Sequence, residues 1–286
     1  KEFGENPYEL QNILKYWVRS KNDDLKVIPT DSIVMKVDKE AVRRSGMMIP
    51  GDSIPDYMHI SLKGKRALYK SELMMLEMLA EANWERPIYM AVSVGTENHL
   101  GMGNHFVQEG LTYRFTPFDT EKTGVKLDSE KMYDNLMNKF KFGGIDKEGI
   151  YIDENAMRMC YSHRRIFSQL IGQLIREGKT DKAKAALEYA EKMIPAYNVP
   201  YDWQNGAMQM AEAYYQLGEK EKGDNIMKAL ADKAVEYLTW YLSLDDQRFA
   251  MSSHEVVDYQ LPILSTEVKL MQKYNSELAP VYDSKL

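Results

Sequence analysis

Residues 174–195 read LIREGKTDKAKAALEYAEKMIP. The first residues finish one helix, and Gly178 supplies a tight turn. A second helix follows with Ala183, Leu187 and Ala190 on one face, and Pro195 stops it. Tetratricopeptide repeats are built on this kind of hairpin, with a period of about 34 residues. With Arg164 as the first position of the frame, the large, small and turn positions fall on Phe167, Leu170, Leu174, Gly178, Ala183, Leu187, Ala190 and Pro195. Only Ile171 departs, where a small residue is usual. Small residues let two antiparallel helices approach, and large ones fill the space between them.

The pattern returns with Gln204 as first position, giving Ala207, Met210, Ala211, Tyr214, Gly218, Gly223, Met227 and Leu230. The frames begin 40 residues apart, at 164 and 204, and the loop AYNVPYDW absorbs the excess over the period of about 34. Val235 stands where Pro ends the first unit, so the last helix of the pair runs on. Two such pairs rarely make a stable stack alone. Helices at 129–140 and 154–163 and a C-terminal helix are therefore expected to complete it.

In such repeats the first helix of each pair lines the concave face. Its outward positions are Arg165, Ser168, Gly172, Ile175 and Arg176, then Asn205, Met208, Glu212, Tyr215 and Gln216. These form a candidate groove for a peptide or a glycan. The competing reading makes them an internal interface, the groove being filled by the N-terminal half.

Outward from the repeat, the chain from about residue 121 reads as helical. Helices are predicted over Ser129–Phe140, Glu154–Glu177, Lys179–Ile194, Trp203–Leu217, Lys220–Leu244 and about His254–Tyr274. Residues 1–120 mix short helices and strands. Helical spacing appears in Pro7–Ser20 and in Ser71–Asn83, the latter with Ser71 as cap. Strands are predicted in Val27–Asp38 (IVMKV, then a short polar helix), Tyr57–Leu62 and Leu111–Phe118. RPIYMAVSVG (Arg86–Gly95) is an apolar run of the kind a buried central strand shows. Thr120–Asp128 reads as the linker. The expectation is an α+β chain: a small mixed α/β module over 1–120 and an all-α tetratricopeptide-like stack over 121–286.

The 286 residues are 44% hydrophobic and 28% charged, as in a soluble globular protein. A net charge of −6 and a pI near 5.5 argue against nucleic acid and against anionic membrane surfaces. No apolar run approaches the ~18–20 residues of a membrane span. The start at KEFGEN, without initiator Met or signal peptide, predicts a mature or excised piece. The single cysteine, Cys160, cannot form an intrachain disulfide and leaves the redox compartment open. Most of the 19 Met and 19 Tyr read as core, though excess Tyr also suits a carbohydrate or peptide surface.

Catalytic patterns are sparse. Histidines 59, 99, 105, 163 and 254 form no metal-binding pair by spacing, and neither a metal nor a cofactor is expected. The loop after RPIYMAVSVG carries Glu97, His99, His105, Glu109 and Arg114, an alternative site if they converge; a structured turn with capping polar groups is the plainer reading. GMGNHF lacks the third Gly of nucleotide-binding loops. Cys160 and His163 share a helical face, but a buried core cysteine explains the first. Glu148, Asp153 and Glu154 show no two-carboxylate geometry. Arg158, Arg164 and Arg165 suit an anion or pairing with nearby acids.

The ordered segments NPYELQ (6–11), IPTDSIVMKVDKE (28–40), NWERPIYMAVSVG (83–95), QEGLTYRFTP (108–117), MYDNLMNKFKFGG (132–144) and YIDENAMRMCYSHRR (151–165) resemble the C-terminal soluble region of a family of multi-span membrane proteins of Bacteroidetes-type bacteria. The hydrophobic N-terminal part of that family resembles protein O-mannosyltransferases, and its soluble end carries tetratricopeptide-like helices. The resemblance spans essentially the whole chain. It implies a domain on the periplasmic face of the inner membrane, attached through a membrane part absent from this sequence. It carries no catalytic residue into this chain, because the family's expected catalytic acid lies in the membrane part. The leading expectation is a non-catalytic accessory domain that recruits or orients an acceptor or another envelope protein or peptide, through effective concentration. The alternatives are a structural or oligomerisation cap and an envelope enzyme with its site at 97–114.

Overall fold

The computed structural model describes residues 6–51 and 53–286. The chain is α+β and forms two compact units, Lys1–Met132 and Tyr133–Leu286.

In the first unit, helix α1 (Leu10–Asn12) continues as a π-helix over Ile13–Val18. Strand β1 (Ser32–Lys36) leads through α2 (Lys39–Arg44) to β2 (Tyr57–Ser61). The two strands pair antiparallel, with Ile33 opposite Ile60 and Met35 opposite Met58. Alternation along β2 turns Met58 and Ile60 inward. They meet Leu10, Ile13 and Leu14 from α1 and Leu76 and Leu79 from α3 (Lys70–Ala82). Ser71, the expected cap of α3, lies inside the helix. The end is closed by Glu72, whose carboxylate accepts the Tyr69 N–H at 2.8 Å.

A second sheet holds β3 (Tyr89–Ala91), β4 (Phe106–Gln108) and β5 (Thr112–Phe115) in the order β3-β5-β4, all antiparallel. The Arg86–Gly95 run is thus a three-residue edge strand and not the buried centre. The chain turns out of the ladder at once, with the Val94 N–H on the Ala91 carbonyl, and β5 takes the middle. Trp84 ties α3 to both sheets. It stacks on Phe115 with centroids 5.4 Å apart and donates to the Lys36 carbonyl at 2.8 Å.

The Thr120–Asp128 stretch is built into this unit and is not a free linker. Asp119 caps α4 (Thr120–Thr123), and Gln108 exchanges backbone bonds with Lys126 and Asp128, each at 3.0 Å. Helix α5 (Ser129–Asp134), continued as a π-helix over Asn135–Lys139, crosses from one unit to the next.

The second unit is helical. Helices α6 (Glu154–Arg176) and α7 (Thr180–Met193) pack as one pair, α8 (Ala207–Gln216) and α9 (Lys220–Leu242) as the next, and α6 also packs on α8. The apolar positions of the 164 and 204 frames are buried: Phe167, Leu170, Leu174, Ala183, Leu187 and Ala190, then Met210, Ala211, Tyr214, Met227 and Leu230. Gly178 and Gly218 turn the two hairpins with φ of 72° and 79°. The expected Trp203–Leu217 helix is broken at Gly206, between a 3-10 turn (Trp203–Asn205) and α8.

The C-terminal helix starts earlier than its apolar spacing predicts. Asp245 caps α10 (Asp246–His254), a π-helix follows over Glu255–Gln260, and α11 (Leu261–Lys273) packs on α9. A short α12 (Ala279–Asp283) follows. Among the described residues no helix is long and apolar enough to cross a membrane.

Candidate functional site: a pocket between two helices

One stripe of α9 carries Leu230, Lys233, Ala234, Tyr237 and Tyr241, at the spacing that keeps side chains on one helical face. Facing it are Glu267 of α11 and Glu255 of the π-helix, with Asp202 and Trp203 of the inter-pair loop closing the side. The cavity between them measures about 260 Å³.

Asp202 is held on every side. Its Oδ1 accepts the Gln204 N–H at 2.9 Å, its Oδ2 pairs with Lys233 Nζ at 2.6 Å, and its N–H donates to Asn205 at 3.3 Å. Burial is the largest single influence on Lys233 and pulls it down, but the Asp202 hydrogen bond and charge, with smaller contributions from Tyr161 and Tyr237, together hold the ammonium above its usual range. Trp203 and Tyr237 stay 42% and 43% exposed although both are aromatic.

Glu267 is the exception to the pairing. Only 1% exposed, it has an Oε2 that is buried without a hydrogen-bond partner. Burial, and then the nearby Asp202 charge, push its carboxyl up to about 8. It sits between Leu264, Val268 and Met271 on the apolar stripe of α11. That spacing was visible in the sequence; that its polar end meets a cavity was not.

The expected groove on α6 and α8 does not line a free surface. A Cβ on Gly206 would lie 2.4 Å from Ser168 Oγ and 3.0 Å from Arg165 Cα, so α6 and the start of α8 touch there. Ser168 is buried and donates to the Arg165 carbonyl at 2.7 Å. Asn205 is fully buried and donates to the Pro200 carbonyl at 3.0 Å. Tyr215 is buried, stacks on Tyr274 with centroids 4.9 Å apart and donates to Asp224 at 2.7 Å. Glu212 accepts Lys273 at 2.7 Å. The end of α11 thus covers the α8 positions, for apolar and aromatic faces bury themselves where a helix is at hand. Met208 is half-buried, and Arg165 and Arg176 are exposed, the latter donating to Gln173 at 2.8 Å.

The 97–114 loop does not converge either. Glu97 is exposed, and His99 packs in the core against Phe106 with centroids 5.0 Å apart. Burial lowers the His105 imidazole below its usual range. Glu109 and Arg114 meet, 3.7 Å apart. Glu109 also accepts from Tyr89 and Lys131, each at 3.1 Å, and Arg114 donates to the Ser45 carbonyl at 2.8 Å. This network ties strands together.

Of the arginines, Arg158 pairs with Glu154, and Arg164 is a buried tie. Arg164 donates to the carbonyls of Ile194 (2.8 Å), Val199 (2.6 Å) and Pro200 (3.0 Å), pinning the inter-pair loop. Cys160 is buried, and burial raises its thiol. His163 is bonded through Nδ1 to the Met159 carbonyl at 2.7 Å. Among the described residues no three His, Cys, Asp or Glu side chains are placed to hold a metal.

The fold and this pocket describe a small α+β unit followed by a helical-repeat-like unit with an aromatic-walled, acid-lined cavity. Residues 1–135 match the family model of the TMEM260-associated domain 2, and the helical unit lies beyond the match. No curated protein and no solved structure matches the chain.

Proposed function

We propose that the chain is a non-catalytic accessory part of a TMEM260-like, O-mannosyltransferase-like membrane protein. In this reading it stands on the periplasmic face and recruits or orients an acceptor or partner polypeptide. The observation that carries it is the α9/α11 pocket, where two half-exposed aromatic rings accompany a buried carboxyl whose Oε2 has no hydrogen-bond partner among the described residues. Large aromatics left at a cavity mouth are a mark of recognition surfaces. The match over residues 1–135 supports the association with a membrane enzyme. Burial at the repeat positions and the packing of α6 on α8 support a tetratricopeptide-like stack. The scattered 97–114 residues weigh against an enzyme in this chain.

The recruiting surface is accordingly moved from the α6/α8 face to the α9/α11 pocket. The test is a peptide array of varied unstructured sequences, probed with the purified chain and with Trp203→Ala. Sequence-selective capture that the folded variant loses is the expected result. Capture that Trp203→Ala leaves unchanged, or none at all, contradicts it. The structural-cap reading is favoured by exposed Trp240, Leu242, Met251 and Val257 on α9, α10 and the π-helix. It predicts concentration-dependent self-association in sedimentation velocity that Trp240→Ser with Met251→Ser abolishes.

A further inference from the structure

The pocket between α9 and α11 holds more acidic groups than cations. Asp202, Glu255 and Glu267 border it against a single cation, Lys233. Lys233 is engaged by Asp202 at 2.6 Å. Glu255 lies 3.3 Å from the exposed His254. Tyr237 and Tyr241 on α9 also line the pocket, and the phenol of Tyr282 on α12 donates to Asp232 at 2.5 Å. Among the described residues that line the pocket, Lys233 is the one cation, and Asp202 already engages it. A buried carboxyl without a donor is costly unless something outside the chain supplies one.

We propose, on the reading that the helical unit recruits a polypeptide, that this pocket binds an arginine side chain of the partner, with Glu267 as its carboxylate and the Trp203 and Tyr237 rings flanking the guanidinium. A guanidinium is planar, pairs with carboxylates through two parallel N–H bonds and stacks on aromatic faces. A cavity of about 260 Å³ is below the ~300–1,000 Å³ range of drug-sized ligands and fits one side chain. The proton balance is explicit. Below about 8 the empty pocket holds Glu267 as the neutral acid; entry of the guanidinium transfers that proton to solvent and leaves a carboxylate–guanidinium pair. Binding therefore tightens as pH rises toward about 8 and levels off above it. A sugar hydroxyl, satisfied by the neutral acid, shows no such rise.

The test is ligand-observed NMR on the full chain with acetyl-Gly-Arg-Gly-amide, its citrulline counterpart and methyl mannoside, from pH 6 to 9. Arginine affinity is expected to rise about tenfold per unit between pH 6 and 8 and to stay flat above. Citrulline, neutral but of the same shape, is expected to bind at least tenfold more weakly. Glu267→Gln is expected to keep the far-UV spectrum and lose both the preference and the pH dependence. Equal binding of citrulline, binding only of the mannoside, a pH trend of the other sign, or arginine binding unchanged in Glu267→Gln overturns the assignment. If the array yields Trp203-dependent peptides without arginine and the probe fails, the arginine assignment alone falls. If both fail, the recruiting pocket falls with it.

Discussion

Arg164 and Glu267 are both buried in the helical unit, and the fold treats them in opposite ways. Arg164 is surrounded by three carbonyl oxygens of the loop it pins. Truncating it to Leu leaves those acceptors without donors inside the protein, at a cost of about 3 kcal/mol or more. Arg164→Leu should lower the urea midpoint, and Arg164→Lys should recover only part of it, since one ammonium cannot serve three carbonyls in a fork. Glu267 is buried with the Asp202 charge nearby, so folding lifts it from 4.5 to about 8. Below pH 4.5 the acid is protonated in both states and costs nothing extra. Between 4.5 and about 8 the unfolded acid loses its proton while the folded one keeps it, so stability falls as pH rises. Glu267→Gln should thus be more stable than the parent by a margin that grows from pH 5 to 8, on the order of 3 kcal/mol at pH 7. A margin constant with pH in parallel urea titrations would contradict this. Arg164 was legible as the opening of a repeat frame, whereas Glu267 was not singled out, although it interrupts the apolar stripe of α11. The surroundings of both were not, because these come from a loop and from helices far away in sequence.

At the scale of elements, the hairpins were readable because their signals are local. Large and small side chains at helical spacing and a glycine at each turn fix α6–α7 and α8–α9 within one run of chain. What could not be read was which face of a helix another helix would cover. Tyr215 and Glu212 have the spacing of an open groove, yet α11 lies over them. The sheet posed the same difficulty. Three residues, Phe106–Gln108, form β4 inside what reads as a polar loop, and Arg86–Gly95 has a central strand's composition at an edge. Pairing decides both, and pairing is non-local. Gly206 joins the two pairs, with φ of 81° and Ser168 and Arg165 where a Cβ would lie. Gly206→Ala should cost about 2 kcal/mol or more, from the left-handed backbone and the contact with Arg165 together. A thermal midpoint within a degree of the parent would show that α6 and α8 separate without penalty.

Across the molecule, the two units carry opposite responses to pH. In the first, burial lowers His105, so protons bind it more readily once the unit unfolds. Stability there is fully present above about 6.5 and is lost as pH falls below it. In the second, Glu267 makes acid stabilising. Native-state hydrogen exchange, corrected for intrinsic rates, should show protection in β4 and β5 falling and protection in α9 and α11 rising from pH 7.5 to 5. Parallel change in both sets of amides would contradict the assignment. The division into an α+β part and a helical part was legible from texture alone, whereas the Thr120–Asp128 stretch was not readable as packed chain, because Gln108 that holds it lies in the hidden strand. The central claim is that the helical unit recruits a polypeptide at the α9/α11 pocket. Its most direct test is chemical-shift mapping of the whole chain with an arginine-bearing peptide. Shifts centred on Trp203, Tyr237 and Glu267 are predicted. Shifts centred on Glu212 and Tyr215, on the 97–114 loop, or on no residue at all would contradict it.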